Sequence, residues 1–207
     1  LVSVAAITPG EWLITGDEHM QKRPIQPLVD AWRELGVTIE ANQGCPPVRV
    51  TGGTSRGGRV TVDPTVSSQF VSSLLLVGAG LPDGLEIEFR GLLASRGYGE
   101  FTCLTLGRMG IVATLAKTRA SVAAQAPVPP AQVSVGGDWS GMGVWTCLNH
   151  LNGSRIVAAN LRTASGQSDE QLADRMRSLA EAGEQSIDVE AIPDQFLNLA
   201  VVAAFRN

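Results

Sequence analysis

The sequence predicts an α/β protein with mixed sheets, built from a repeated β-α-β-α-β-β unit, and three observations lead there. Amphipathic segments end on a glycine three times, at Gly36, Gly110 and Gly183, a recurrence of about 74 residues that marks internal duplication. Helical stripes alternate with short apolar runs of strand length, the pattern of mixed or parallel sheets backed by helices. Apolar residues make up 44% of the 207 and charged residues 17%, enough for a buried core and too apolar for disorder. A chain of this length forms one large domain or two small ones.

The elements follow in order. The chain opens on what reads as the end of a helix feeding a strand. Ile25, Leu28, Val29, Trp32 and Leu35 recur at i, i+3 and i+4, the spacing of one buried helical face. Gly36 can take the left-handed conformation that closes that helix. A strand at 37–40, a proline-bearing turn and a strand at 48–51 come next. The glycine-rich run from Gly52 to Gly58 lacks the Gly-Lys-Ser/Thr ending of a phosphate loop and precedes a strand, so it reads as a flexible hairpin connection. A strand at 60–63 leads to a helix at 68–77, and a strand at 85–89 leads to the second stripe, Phe101, Leu104 and Met109, before Gly110. A strand at 111–115 precedes an Ala- and Pro-rich loop at 118–131. Then come a strand at 132–135, a helix at 140–151, a strand at 155–159, the third stripe of Leu172, Met176 and Leu179, and an apolar helix at 197–205. The lobe boundary is expected between residues 1–134 and 135–207.

Several function classes lose support at once. A net charge of −4 gives no general attraction to nucleic acid. The apolar stretch 70–81 is too short to span a bilayer and contains Ser72, Ser73, Gly78 and Gly80. Cys45, Cys103 and Cys147 have no metal-ligand spacing, and an odd, sparse count fits a reducing cytoplasm. His19 and His150 share no motif with a serine or carboxylate, so a hydrolytic triad finds no support. The four tryptophans, Trp12, Trp32, Trp139 and Trp145, read as packing residues.

Ser67-Ser68-Gln69 falls between a strand and an apolar helix, where unpaired N–H groups and the positive end of the dipole favour an anion. Alone, such a run is usually a helix cap. Its companions are Thr15-Gly16-Asp17-Glu18-His19-Met20-Gln21-Lys22-Arg23-Pro24-Ile25, Ser95-Arg96-Gly97-Tyr98, Gly137-Asp138-Trp139-Ser140 and Ile192-Pro193-Asp194. Together and in this order the runs resemble the enolpyruvyl transferases, and among them the EPSP synthase family. The likeness extends over essentially the whole chain and corresponds to about three of that family's six repeat units.

The resemblance implies a two-lobed fold with an active site between the lobes. It implies transfer of the enolpyruvyl group of phosphoenolpyruvate to the 5-hydroxyl of shikimate 3-phosphate, with no metal and no organic cofactor. Both substrates are polyanions, so guanidinium and hydroxyl donors are the expected contacts. By resemblance Ser67 and Ser68 donate to the 3-phosphate, Gln69 reaches between the substrates, Ser95 is a further phosphate donor and Tyr98 lies against or bonds to the ring. Arg23 resembles the arginine that grips phosphoenolpyruvate; otherwise it is an exposed residue before a proline-initiated helix. Asp194 resembles the carboxylate that holds the substrate hydroxyl and acts as base, and it also suits a helix N-cap. Asp138 reads as a helix cap.

Against the family pattern, His19 stands where an arginine is usual, Lys22 where an acidic residue is common, Gly97 for a proline, Glu100 for an aspartate and Gly141 for a serine. A noncatalytic member that binds a shikimate-like ligand or a partner chain is the alternative reading. A partial set of repeats leaves sheet edges and apolar faces uncovered. The chain is therefore expected to self-associate, to bind a partner or to form part of a longer protein. Light scattering and thermal melting that show a monodisperse, highly stable monomer contradict this expectation.

Overall fold

The expected alternation of helices and strands is laid out most completely in residues 58–122 of the computed structural model, which describes residues 1–179 and 183–205. There β4 (Gly58–Val62), α3 (Ser68–Gly78), β5 (Leu85–Phe89), α4 (Arg96–Arg108), β6 (Ala113–Leu115) and β7 (Arg119–Val122) form one β-α-β-α-β-β unit. Its sheet runs β4-β5-β7-β6. The pair β4/β5, separated by α3, is parallel, whereas β5/β7 and β6/β7 are antiparallel. The helix between the parallel strands β4 and β5 and the short link between the antiparallel strands β6 and β7 are what strand geometry requires.

The preceding residues repeat the order without a leading strand among those described. They form α1 (Val2–Ile7), β1 (Gly10–Ile14), α2 (Gln26–Glu34), β2 (Thr38–Asn42) and β3 (Cys45–Gly52), with the sheet order β1-β3-β2, all antiparallel. This order matches β5-β7-β6 of the second sheet, so the duplication read from the glycine stops is a duplication of sheet topology. Gly36 and Gly110 close their helices with φ of +82° and +75°. The chain reversal between β2 and β3 falls on Gln43 and Gly44, both at positive φ (50° and 79°), the conformation a two-residue hairpin loop demands. Pro46 and Pro47 lie inside β3 rather than in the turn.

The chain divides into two compact units, Leu1–Ala94 with Thr102–Ala131 and Ser95–Phe101 with Gln132–Asn207. The first unit holds both sheets. Its core includes Trp32, Val50, Leu74, Leu75, Val60 and Ile87, each no more than 2% exposed. Burying side chains of this size contributes about 1.5–3 kcal/mol apiece. The Trp32 indole N–H donates to Ser3 Oγ at 3.0 Å, and Ser3 and Ser73 share a hydroxyl hydrogen bond of 2.6 Å. A second hydroxyl pair, Thr102 to Ser72 at 2.8 Å, joins α4 to α3.

The second unit has no strand among its described residues. It consists of α5 (Trp139–Asn152), a 3-10 turn (Ser168–Gln171), α6 (Leu172–Leu179), a 3-10 turn (Pro193–Gln195) and α7 (Phe196–Ala204), together with the start of α4. Leu172, Met176 and Leu179 are buried with Cys147, Ile192, Leu199 and Val202 in its core. Gly183 has φ of +97°, and residues 180–182, between α6 and that glycine, lie outside the described residues, as do Arg206 and Asn207.

Four expectations are corrected. Residues 132–135 are not a strand; Val133 and Val135 are exposed, so their alternation has no sheet to face. Residues 155–159 are not a strand either, because the side chain of Asn149 takes both backbone bonds of Ile156, donating to its carbonyl at 2.8 Å and accepting from its N–H at 2.9 Å. Conversely, the expected loop at 118–131 contains β7, with Ala120 and Val122 buried at 1% and 2% and Arg119 and Ser121 on the other face. The glycine-rich run 52–58 joins strands of different sheets, so it is not a hairpin.

Among the tryptophans only Trp32 is fully buried, while Trp12 and Trp145 are 42% and 49% exposed. Replacing Trp32 with alanine is expected to lower unfolding free energy by about 3–5 kcal/mol, against less than about 1 kcal/mol for Trp12→Ala, as measured by denaturant titration.

Candidate functional site

The site residues fall into two groups, one in each unit. In the first unit, α3 begins at the expected hydroxyl run. Ser67 is the N-cap, in extended conformation, and its Oγ accepts the Gln69 N–H at 3.2 Å. Ser68 is buried at 4% exposure beneath the first turn, and Gln69 is exposed. A capped helix of this length carries partial positive charge at its start, and the N–H groups there suit an anionic oxygen. The cap and anion readings coexist on this geometry, since the Ser67 hydroxyl meets one N–H only.

Arg23 lies before α2, at the end of a 3-10 turn (Met20–Lys22). That segment is fixed by its own backbone. Asp17 Oδ1 accepts from the Met20 N–H at 2.8 Å, Gln21 Nε2 donates to the Gly16 carbonyl at 2.8 Å, and the Arg23 N–H donates to the Met20 carbonyl at 3.1 Å. Gly16 has a steric reason, because a Cβ there would come within 2.6 Å of Met20 Cβ. The Arg23 side chain is exposed and makes no hydrogen bond or ion pair to any of the described residues.

In the second unit, Ser95, Tyr98 and Asp194 assemble around the start of α4. Ser95 precedes the helix at φ +48° and its carbonyl accepts the Tyr98 N–H at 3.0 Å. Tyr98, in the first turn, donates its hydroxyl to Asp194 Oδ2 at 2.9 Å. Asp194 sits on the 3-10 turn before α7, where Gln195 is the N-cap and no side chain caps the helix. The expected cap role of Asp194 is therefore not realised; its carboxyl faces Tyr98 instead. Asp138 does cap α5, accepting from the N–H groups of Ser140 and Gly141 at 3.1 and 3.0 Å.

Burial, the hydrogen bond to Asp194 and the negative charges of Asp169, Asp194 and Asp138, in that order, push the Tyr98 phenol well above the usual tyrosine range. Each disfavours phenolate beside carboxylates in a partly dry site. Two polar residues that support this corner are not legible as such in the sequence. Asp169 and Gln195 are 3% and 1% exposed and hydrogen-bonded to each other, yet polar residues in a short turn read as solvated. Gly97 packs against the side chain of Ser168 so closely that a Cβ there would overlap its hydroxyl.

Among the described residues no three His, Cys, Asp or Glu side chains are grouped to hold a metal ion, and no helix is long and apolar enough to cross a membrane. A cavity of about 390 Å³ on the outer face of the first sheet, lined by residues such as Trp12, Glu40 and Arg49, contains none of the site residues.

Two helix-backed sheets of common order, with hydroxyls at one helix start and a tyrosine–carboxylate pair at another, define an α/β protein of the enolpyruvyl transferase fold. Its structure resembles that of EPSP synthase from Acinetobacter baumannii with a TM-score of 0.69 and 18% identity, over 98% of this chain and 51% of that one. A second structure of EPSP synthase from the same organism gives a TM-score of 0.57 and 20% identity, over 72% and 33%. The family model described as EPSP synthase (3-phosphoshikimate 1-carboxyvinyltransferase) matches residues 1–207, and the chain belongs to this family. Among its relatives, the 3-phosphoshikimate 1-carboxyvinyltransferase of Bacteroides fragilis strain YCH46 is 37% identical over 147 residues, 70% of this chain and 36% of that protein. The enzyme of the same name from Pseudomonas syringae pv. tomato is 42% identical over 112 residues, 53% and 27% of the two chains. The matched stretch thus spans about a third of these curated relatives, 36% and 27% of their lengths.

Tyr98 is the chain's one tyrosine, so tyrosinate absorbance reports it alone. A raised folded-state pKa means that the protonated phenol contributes stability fully present below the ordinary value of 10.0 and lost as pH rises through the raised one. The tyrosinate midpoint is accordingly expected above 10.0, and Asp194→Asn should bring it down; a midpoint at the free-tyrosine value in the wild type contradicts the pairing.

Proposed function

We propose that this chain binds shikimate 3-phosphate and forms part of a 3-phosphoshikimate 1-carboxyvinyltransferase, which moves the enolpyruvyl group of phosphoenolpyruvate onto the 5-hydroxyl of that substrate and releases phosphate. The observation that carries the reading is the start of α3. There Ser67, Ser68 and Gln69 occupy the first turn of an eleven-residue helix, in a chain whose full length matches the family. Hydroxyls, an amide and helix N–H groups together suit a phosphate monoester better than a neutral ligand.

The roles follow from the chemistry of the transfer. Ser67 and Ser68 donate to the 3-phosphate, Gln69 contacts both substrates, and Ser95 adds a donor. Arg23, with its planar fork of donors, takes an oxyanion of phosphoenolpyruvate. The 5-hydroxyl must lose its proton as it attacks C2, and Asp194 accepts it. Its Oδ2 is engaged by the Tyr98 hydroxyl, which leaves the other oxygen for the substrate. Tyr98 in its neutral form remains a donor there, as its raised pKa favours. The methylene carbon of phosphoenolpyruvate takes up a proton as the 5-hydroxyl oxygen adds to C2; the methyl group so formed then gives up a proton as the bond from C2 to the phosphate oxygen breaks, which leaves the enol ether and free phosphate.

Calorimetric titration of the chain with shikimate 3-phosphate tests this. Binding is expected, and Ser67→Ala or Gln69→Ala should weaken it roughly tenfold or more, the effect of losing a hydrogen bond to a charged group. Asp194→Asn should retain binding and lose phosphate release from phosphoenolpyruvate. Binding without phosphate release, not restored in a chain extended to the length of its relatives, favours a noncatalytic ligand-binding member, and no binding at all overturns the reading.

A further inference from the structure

We propose that Gln195 and Asp169 are positioning residues, a buried amide–carboxyl latch that sets the direction in which Asp194 points. The inference deepens the proposed function, since it rests on Asp194 being the group that receives the substrate proton.

Asp194 is carried by a single 3-10 turn, Pro193–Gln195. So short a turn has little rigidity of its own, and its aim must come from what holds its ends. On one side Ile192 is completely buried in the apolar core of the second unit. On the other side Gln195 is 1% exposed and its amide is gripped from three elements. Its Nε2 donates to Asp169 Oδ1 at 2.7 Å and, more weakly, to the Ser140 carbonyl at 3.4 Å. Its Oε1 accepts from Asn198 Nδ2 at 2.7 Å. Asp169 belongs to the 3-10 turn before α6, Ser140 to the first turn of α5 and Asn198 to the first turn of α7. Gly143 of α5 completes the cradle, because a Cβ at that position would overlap Gln195 Oε1.

An apolar side chain at 195 would fill such a space without facing any one direction. A buried amide has no such latitude, because each polar atom must meet its partner or lose its hydration without return. The latch therefore fixes the rotation of the turn as well as its position. Asp194 is left exposed with one oxygen on the Tyr98 hydroxyl at 2.9 Å. The Gln195 amide is taken up by Asp169, Ser140 and Asn198, so its influence on Tyr98 passes through the placement of Asp194 and Asp169.

The test uses the full chain and the lone tyrosine. Alkaline titration of tyrosinate absorbance is recorded for the wild type, for Gln195→Met, which keeps the volume and removes the amide without adding a charge, and for Asn198→Ala, which removes one partner of the amide. Asp138, Asp169 and Asp194 are the charged groups acting on Tyr98 and are kept in both variants, and circular dichroism verifies the fold at neutral pH. Gln195→Met should lower the midpoint by on the order of one pH unit, as expected when a charged hydrogen-bond partner moves away. Asn198→Ala should lower it by less. A folded Gln195→Met variant with the wild-type midpoint overturns the proposal. If Gln195→Met does not fold, Asn198→Ala decides: a lowered midpoint supports the latch and an unchanged one overturns it. Shikimate 3-phosphate titration run alongside separates the two readings, since failure of the wild type to bind it counts against the function and leaves the latch to be judged by Tyr98.

Discussion

A thread of three polar side chains runs through the apolar core of the first unit, and the placement of α3 depends on it. The Trp32 indole donates to Ser3, and Ser3 shares a hydrogen bond with Ser73, so α2, α1 and α3 meet along one directional line. Apolar packing alone tolerates small slides between helices, because dispersion contacts have little directionality. A buried hydroxyl such as that of Ser3 and a buried indole N–H do not, since a shift strands a polar group in a dry interior. The start of α3, where Ser67 and Gln69 face solvent, is thus held by bonds farther along the same helix. The Thr102–Ser72 pair gives α4 a similar fixed point on α3.

The second unit solves the same problem with fewer elements. It has no described sheet, and side chains take over backbone work. Asn149 gives Ile156 the donor and acceptor that a neighbouring strand would have supplied. Gln167 accepts from the Trp139 N–H and donates to the Gly137 carbonyl, tying the approach to α5 to a loop well downstream. Such local substitutes satisfy the backbone one residue at a time, whereas a ladder satisfies a whole row at once. The tyrosine–carboxylate pair sits on this side-chain-built framework.

How much of this was legible depends on the range of the interaction. Gly36 and Gly110, the stripe through Trp32 and Leu35, and the hydroxyls before α3 are local signals, and each appears where its spacing indicates. The strands expected at 132–135 and 155–159 had the right residues, but alternation says only that one face is apolar, not that a partner strand exists. The four residues of β7 were hidden by the Ala- and Pro-rich run that follows them. Asp194 had every local mark of a helix cap. What it does instead is decided by a tyrosine 96 positions earlier in the chain, which no local pattern reports. The same holds for Gln195 and Asp169, whose burial comes from the packing of α5 and α7.

The contact between Gly97 and Ser168 has a consequence for how such a sequence can change over time. With no Cβ at 97, the Ser168 side chain lies in space that any larger residue would need. A mutation at 97 therefore has a different effect depending on what stands at 168, and the two positions cannot be judged one at a time. A descendant that gains a side chain at the helix start must first, or at once, shed or turn the serine. The pair is a small case of epistasis, a step along the mutational path that is open in one order and obstructed in the other.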